Sequence, residues 1–296
     1  MNNSSAVRRV QATSAPRRFV PRCALLFAVL FQVAFLFPAH AAPNPQAAPD
    51  AAAIMQGVYQ QNTSRDMTLK ATLDVFDKQG QMLRKKFALL RLGSLGDSKT
   101  LVYFTDPKEI RGVVLLSVNQ RGATGRQWMY IPATDRVRSV APQERSERFV
   151  GSDFTYEDIA EDPLDDFTYR LLSDNELIDG RKTYKIEATP VSPDRSQYKF
   201  IYYWVLQDVP CIIHAEMYDQ DGHEVRTMHG SQLKKESGIS GFRHIEVDSV
   251  AAGTHTILTI DEAHFNTGLS PDLFTPDALG KPSPAIPGSV STSDHQ

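Results

Sequence analysis

Met67 to Leu92 reads MTLKATLDVFDKQGQMLRKKFALLRL. Met67, Leu69, Ala71, Leu73 and Val75 alternate with polar or charged neighbours, the two-residue period of a strand with one face turned to a core. Asp77-Lys78-Gln79-Gly80 supplies turn residues, and Met82 to Leu92 resumes an apolar run. The stretch is a β-hairpin.

The same rhythm extends outward from this hairpin. It runs through SKTLVYF, GVVLLSV, RQWMYI and DRVRSV, then through FTYRLLS, KTYKIEATP, QYKFIYYWVL, CIIHAEMYD, HEVRTMHG, RHIEVDSV and HTILTIDEAHF, each run bounded by Gly, Pro, Asn or Asp. No strand alternates with a long helix, which argues against a parallel sheet and for antiparallel meanders. A sheet of about eleven strands must curl, and a curled sheet encloses a space that helices or loops can cap. One helix is expected ahead of the hairpin, where Asp50 caps a segment with Ile54, Met55, Val58 and Tyr59 at helical spacing.

The first forty residues carry Arg8, Arg9, Arg17, Arg18 and Arg22 but no acid, then the apolar run CALLFAVLFQVAFLF from Cys23 to Phe37 and the small-residue site Ala39-His40-Ala41. This pattern predicts a secretory signal peptide over residues 1–41, a linker over 42–49 and export to the periplasm. Cys23 precedes the apolar run, so it does not fit the acylated cysteine of a lipoprotein. The mature domain is expected over 50–279, followed by a disordered tail over 280–296 that lacks apolar periodicity. Losing the leader's five arginines leaves 27 basic residues against 35 acidic ones, a formal charge of about −8 that argues against nucleic acid as a partner. Cys211 is then the single cysteine; its apolar setting VPCIIH predicts a buried, inert thiol.

Three segments, WMYIPATDRVRSV, GSDFTYEDI and YYWVLQDVPCIIHAEMYDQDGHEV, occur in that order ahead of a closing LSPDLFTPDAL. With them the chain resembles the periplasmic lipoprotein-carrier superfamily, and within it the outer membrane lipoprotein-sorting group, over roughly residues 50–279. The resemblance implies a curved, incompletely closed antiparallel barrel of about eleven strands with a few covering helices. It also implies an apolar hollow that receives lipid or lipoprotein acyl chains, transient membrane contact, and partnership with inner membrane transporters of the resistance-nodulation-division type.

Candidate lining residues for such a hollow are the strand side chains Phe87, Tyr103, Trp128, Tyr130, Tyr202, Trp204 and Met217, weighed against ordinary core packing. The second candidate is GSDFTYEDIAEDPLDDF, where Asp153, Glu157, Asp158, Glu161, Asp162, Asp165 and Asp166 crowd around aromatic residues. Calcium-loop spacing is absent there, and Asp219-Gln220-Asp221-Gly222 reads as a hairpin turn, so no metal is expected. Acids this dense are ordinarily solvated. They predict a short helix capped by Ser152 or Asp153, with Glu157 and Asp158 near its first turn and Phe154, Tyr156 and Ile159 facing inward. In its functional form, Asp153, Phe154, Tyr156, Glu157 and Asp158 are a docking surface or part of a lid. Arg136, Arg138, Arg145 and Arg148 are candidates to pair with these acids or with a lipid head group, weighed against ordinary surface ion pairing, which is the favoured reading.

The histidines lack zinc-binding spacing, and neither a G-x-S-x-G elbow nor a glycine-rich phosphate loop occurs. These observations favour a monomeric, cofactor-free periplasmic carrier of a lipid or lipidated protein. The alternatives are an accessory subunit of an envelope transporter and, with less support, a hydrolase using the carboxylates.

Overall fold

The computed structural model describes residues 49–281 apart from 121, 122 and 162. The expected signal peptide, most of the expected linker, nearly all of the expected tail and Asp162 lie outside the described residues.

Helix α1 (Ala51–Gln60) opens the domain. Asp50 caps it in extended backbone conformation, its carboxylate accepting the Ala52 N–H at 3.2 Å. Six strands follow: β1 (Asp66–Phe76), β2 (Met82–Ser94), β3 (Asp97–Asp106), β4 (Val114–Gln120), β5 (Ala123–Ile131) and β6 (Arg136–Ser139). A connection containing the short helix α2 (Tyr156–Ala160) leads to β7 (Phe167–Ile178), β8 (Arg181–Pro190), β9 (Phe200–Leu206), β10 (Ile212–Tyr218), β11 (Glu224–Glu236), β12 (Ile239–Ser249) and β13 (Thr254–Phe265). All thirteen alternating runs are strands, two more than the resemblance implied.

The thirteen form one antiparallel sheet in the order β6-β5-β4-β3-β2-β1-β13-β12-β11-β10-β9-β8-β7. Each half is a meander, and the halves join where β1 pairs with β13, with a register shift between Lys70 and Ala71. Residues from both halves, among them Leu73, Phe87, Val102, Ile201, Met217 and Leu258, converge on one cavity. That face is therefore the inside of a curled sheet. The sheet does not close, because β6 and β7 remain at its two margins.

In the first half both faces are covered. Inward side chains such as Phe87, Phe104 and Leu115 pack with Phe149 and Tyr156 of the connection. Outward ones, including Ala88, Leu90, Leu101 and Leu116, pack beneath Leu269, Phe274 and Leu279 of the C-terminal segment. Asp66 fastens that segment: its carboxylate accepts the Thr267 N–H at 2.6 Å, the Thr267 hydroxyl at 2.8 Å and the Gly268 N–H at 3.0 Å. The segment lies so close to the sheet that a Cβ at Gly280 would stand 2.7 Å from the Tyr130 ring. Among the described residues no helix is long and apolar enough to cross a membrane.

Candidate functional site

Because β6 and β7 sit at opposite margins, the chain between them must cross the sheet, and hydrogen bonds show that it does so over the inner face. Lys85 of β2 donates to the Val150 carbonyl at 2.7 Å. Asp153 accepts the hydroxyls of Thr254 (2.5 Å) and Thr256 (2.6 Å) on β13, and the Asp153 N–H returns a bond to Thr256 at 3.0 Å. Asp158 accepts from the Arg226 guanidinium of β11 at 2.9 Å, and Glu161 accepts the Ser98 hydroxyl of β3 at 2.6 Å. The acidic stretch is thus the strap that ties the two halves across the hollow.

This corrects the expectation of a solvated face. Asp153 is 2% exposed and Glu157 is 6% exposed. Buried carboxylates require partners, and each has them: Glu157 accepts from the Ser196 hydroxyl and from the Gln197 N–H at 3.1 Å, while Arg148 approaches Asp153 at 2.9 Å. The helix cap is Thr155, whose hydroxyl takes the Asp158 N–H while Asp158 takes the Thr155 N–H, a reciprocal capping box. Ser152 instead donates its hydroxyl to the nearby Phe149 carbonyl at 2.8 Å, and Asp153 is used in tertiary contacts. Of the other arginines, Arg138 pairs locally with Glu144 at 2.8 Å.

Beneath the strap lies a cavity of about 410 Å³. Its walls are mostly aliphatic and aromatic: Met55 and Tyr59 of α1, Phe149, Phe154 and Ile159 of the strap, and inward strand residues including Leu73, Leu89, Tyr203, Met228 and Leu258. Of the residues singled out in the sequence, Phe87, Met217 and Phe154 line it, as do the acids Glu157 and Asp158. Tyr156 packs edge-on against Phe149, ring centres 5.4 Å apart, within the core beside the cavity.

The other five expected lining residues stand on the outer face, one strand position out of phase. Tyr103, Trp128 and Tyr130 pack under the C-terminal segment. Tyr202 and Trp204 hold the Lys185 ammonium over their rings at 5.0 and 4.4 Å, and the Trp204 indole N–H donates to Glu176 at 2.6 Å.

Polar groups meet the cavity along the strap. Arg226, 7% exposed, donates through Nη1 to the Tyr198 hydroxyl at 2.5 Å and through Nη2 to Asp158, while its Nε lacks a partner. Burial works against the Arg226 charge, but the Asp158 carboxylate and the Tyr198 hydroxyl outweigh it and hold the guanidinium protonated more firmly than usual. Burial pushes the Glu161 carboxyl above its ordinary value, opposed by the Ser98 hydroxyl and by Arg91. Lys85 is pulled down by burial and by neighbouring Arg148, against the pull of Asp153. Neither Arg226 nor Glu161 was marked as a lining residue from the sequence; the inward parity of Arg226, paired across the ladder with Met217, was the signal available.

Two further groups behave as turn and core residues. Asp219, Asp221 and His223 bring ligand-type atoms within 4.8 Å of one another, but Asp219 already accepts the N–H groups of Asp221 (3.0 Å) and His223 (2.9 Å) in the β10–β11 turn. Cys211 is buried, and desolvation pushes its thiol up to about 11.

A family model described as "Uncharacterized protein" matches residues 96–281. The chain belongs to that family. Its fold is shared with a DUF1329 family protein from Desulfovibrio piger, at 26% identity and a TM-score of 0.74 over 77% of this chain and 97% of that one. A domain from Vibrio parahaemolyticus described as an outer membrane lipoprotein-sorting protein is 23% identical, with a TM-score of 0.73 over 77% of this chain and 97% of that one. A LolA superfamily protein from Nitrosomonas europaea is 20% identical, with a TM-score of 0.64 over 78% and 100%. The resemblance drawn from the three sequence segments therefore holds at the level of the fold, which the chain shares with these structures. No curated protein matches the chain.

Proposed function

We propose that this protein is a periplasmic carrier that shelters the acyl chain of a lipid or lipidated protein and passes it to an acceptor at a membrane. The observation that supports this reading is the cavity of about 410 Å³, walled by apolar side chains from α1, the strap and both halves of the sheet. Ligand sites range over roughly 300–1,000 Å³, so this one suits a single slender ligand. Burying acyl methylenes releases about 0.8 kcal/mol each, ample drive for uptake, and release then requires an acceptor that competes for the chain.

The carboxylates beside the cavity favour binding over hydrolysis. Glu157 is committed to Ser196 and Gln197, Asp158 to Thr155 and Arg226, and Glu161 to Ser98. They also weigh against the acidic stretch as an outward docking surface, because Asp153 and Glu157 point into the protein.

The test is native mass spectrometry of protein purified gently from envelopes, followed by lipid extraction. A bound amphiphile is expected, displaced by a fluorescent chain analogue. Protein that is repeatedly recovered empty and fails to bind any single-chain amphiphile refutes the carrier reading.

A further inference from the structure

A second pocket, of about 540 Å³, adjoins the apolar cavity. It is bounded by the C-terminal half of α1, the β2–β3 turn and residues 163–165. Tyr59 lines both spaces. Their chemistry differs sharply. Gln56, Gln60, Asn62, Thr63 and Ser94 border the second pocket, and Asp165 is the one charged side chain among the described residues around it.

The helix sets the electrostatic sign there. The last carbonyls of an α-helix lack intrahelical partners and carry the negative end of its dipole. The pocket lies at that end of α1, so its fixed charge, Asp165 and the helix terminus, is negative throughout. An anionic head group placed here meets like charge and no Lys or Arg. A head rich in O–H or N–H donors meets the Gln56 and Gln60 amide oxygens, the Thr63 and Ser94 hydroxyls and the Asp165 carboxylate.

We propose that the carried ligand is an amphiphile with a hydrogen-bond-donating, non-anionic head, its chain in the apolar cavity and its head past Tyr59 in this second pocket. The inference rests on the carrier reading and narrows the cargo to lipids with glycerol-, sugar-, amide- or amine-type heads.

The experiment displaces a fluorescent alkyl probe from the intact protein with ligands sharing one dodecyl-length chain: a monoacylglycerol, an alkylamine and an alkyl phosphate. The glycerol or amine head is expected to compete at a concentration about tenfold lower than the phosphate. Comparison of those two arms separates a neutral head from a cationic one. Gln56 and Gln60 are exposed on α1, so the double variant Q56K/Q60K places two cations at the pocket at little cost to folding, checked by circular dichroism. It is expected to abolish or reverse the preference.

Equal or better binding of the phosphate to the unaltered protein overturns the proposal, as does a preference that Q56K/Q60K leaves unchanged. If the alkyl probe binds but head groups make no difference, the head-group assignment alone fails. If neither probe nor ligand binds, the carrier reading fails with it.

Discussion

The strap across the hollow is held by Asp153, and replacing that residue tests the whole arrangement. Asp153→Ala removes the acceptor of two hydroxyl donors, Thr254 at 2.5 Å and Thr256 at 2.6 Å, and of the Arg148 guanidinium at 2.9 Å. The Arg148 side chain is 41% exposed, so its ion pair is screened and contributes under about 1 kcal/mol. Thr254 is part-buried and regains water. Thr256 is fully buried and does not, so its loss dominates at roughly 1–3 kcal/mol, hydrogen bonds to ionised groups being the strong ones. The sum is about 3 kcal/mol, a large share of a stability on the order of 5–15 kcal/mol.

Urea unfolding should show the midpoint lowered by about 1 M at unchanged slope. Hydrogen exchange should show where the loss falls: amides of residues 149–160 lose protection while those of the β1–β2 ladder keep theirs. A double-mutant cycle with Thr256→Val should return a coupling of about 1–2 kcal/mol, since the two side chains are in direct contact. If Asp153→Ala costs less than about 0.5 kcal/mol, or if the two substitutions add independently, the strap is not anchored at this point and the reasoning fails.

Three other outcomes are expected. Asp66 is buried, which raises its carboxyl, but the bonds from Thr267, Gly268 and Leu269 outweigh burial and leave it below its ordinary value of 3.8. Its stabilisation is therefore complete above that pH and fades as acid carries the solution down through the folded-state value. Asp66→Asn should flatten this acid limb in a pH series of thermal melts and free the C-terminal segment to protease; a limb of unchanged shape counts against the assignment. Glu161 has the opposite sign: its folded carboxyl is raised by burial above 4.5, so the native state holds more protons than the unfolded chain and loses stability as pH climbs through that window. Glu161→Gln should gain stability relative to the native protein on passing from pH 4 to pH 7, and a difference that is flat with pH refutes it. Leu258→Trp, on a half-buried wall residue, should fill the cavity and weaken binding of an alkyl probe more than tenfold, with a stability change within about 1–3 kcal/mol; undiminished binding would place the ligand elsewhere.

How much of this was legible in the sequence depends on whether one face of a strand was visibly wet. The β1–β2 hairpin announced itself because Lys70, Thr72 and Asp74 alternate with Leu69, Ala71, Leu73 and Val75, and the observed register pairs Leu73 with Lys85. In β4, Val114, Leu115 and Leu116 are apolar in succession because both faces are buried, one under the strap and one under the C-terminal segment. A strand covered on both sides loses its alternation. Tyr103, Trp128 and Tyr130 therefore carried no parity mark, and FIYYWVL in β9 offered two apolar faces of which Ile201 and Tyr203 turn inward and Tyr202 and Trp204 outward. The acidic stretch was opaque for another reason. Its partners Thr254, Thr256, Arg226 and Ser98 lie 63 to 103 residues away in the chain, so local density suggested solvent where tertiary contacts supply donors.

The topology explains why charge and grease share one site. Two consecutive meanders that join through their first and last strands leave the middle of the chain at both open margins, β6 on one and β7 on the other. The connection between them must bridge the full width of the sheet, and its backbone polar groups need partners wherever it runs. Lys85 meets the Val150 carbonyl, and Gln127 donates to the Tyr156 carbonyl at 2.9 Å. The acids do the same work for sheet donors that face inward, including Arg226 and the two β13 threonines. With its polar groups thus engaged at the sheet, the strap turns Phe154 and Ile159 toward the cavity and leaves the space beneath it apolar. On this account the carboxylates that anchor the strap are structural, and what they protect is the apolar lining of the hollow. Replacement of any one anchor by its neutral amide should therefore change the ease with which a chain enters before it changes what kind of chain is bound. That ordering is read from association rates measured against head-group preference in the same variants, and a variant such as Asp158→Asn that altered preference while leaving entry unaffected would assign the acids a direct part in recognition instead.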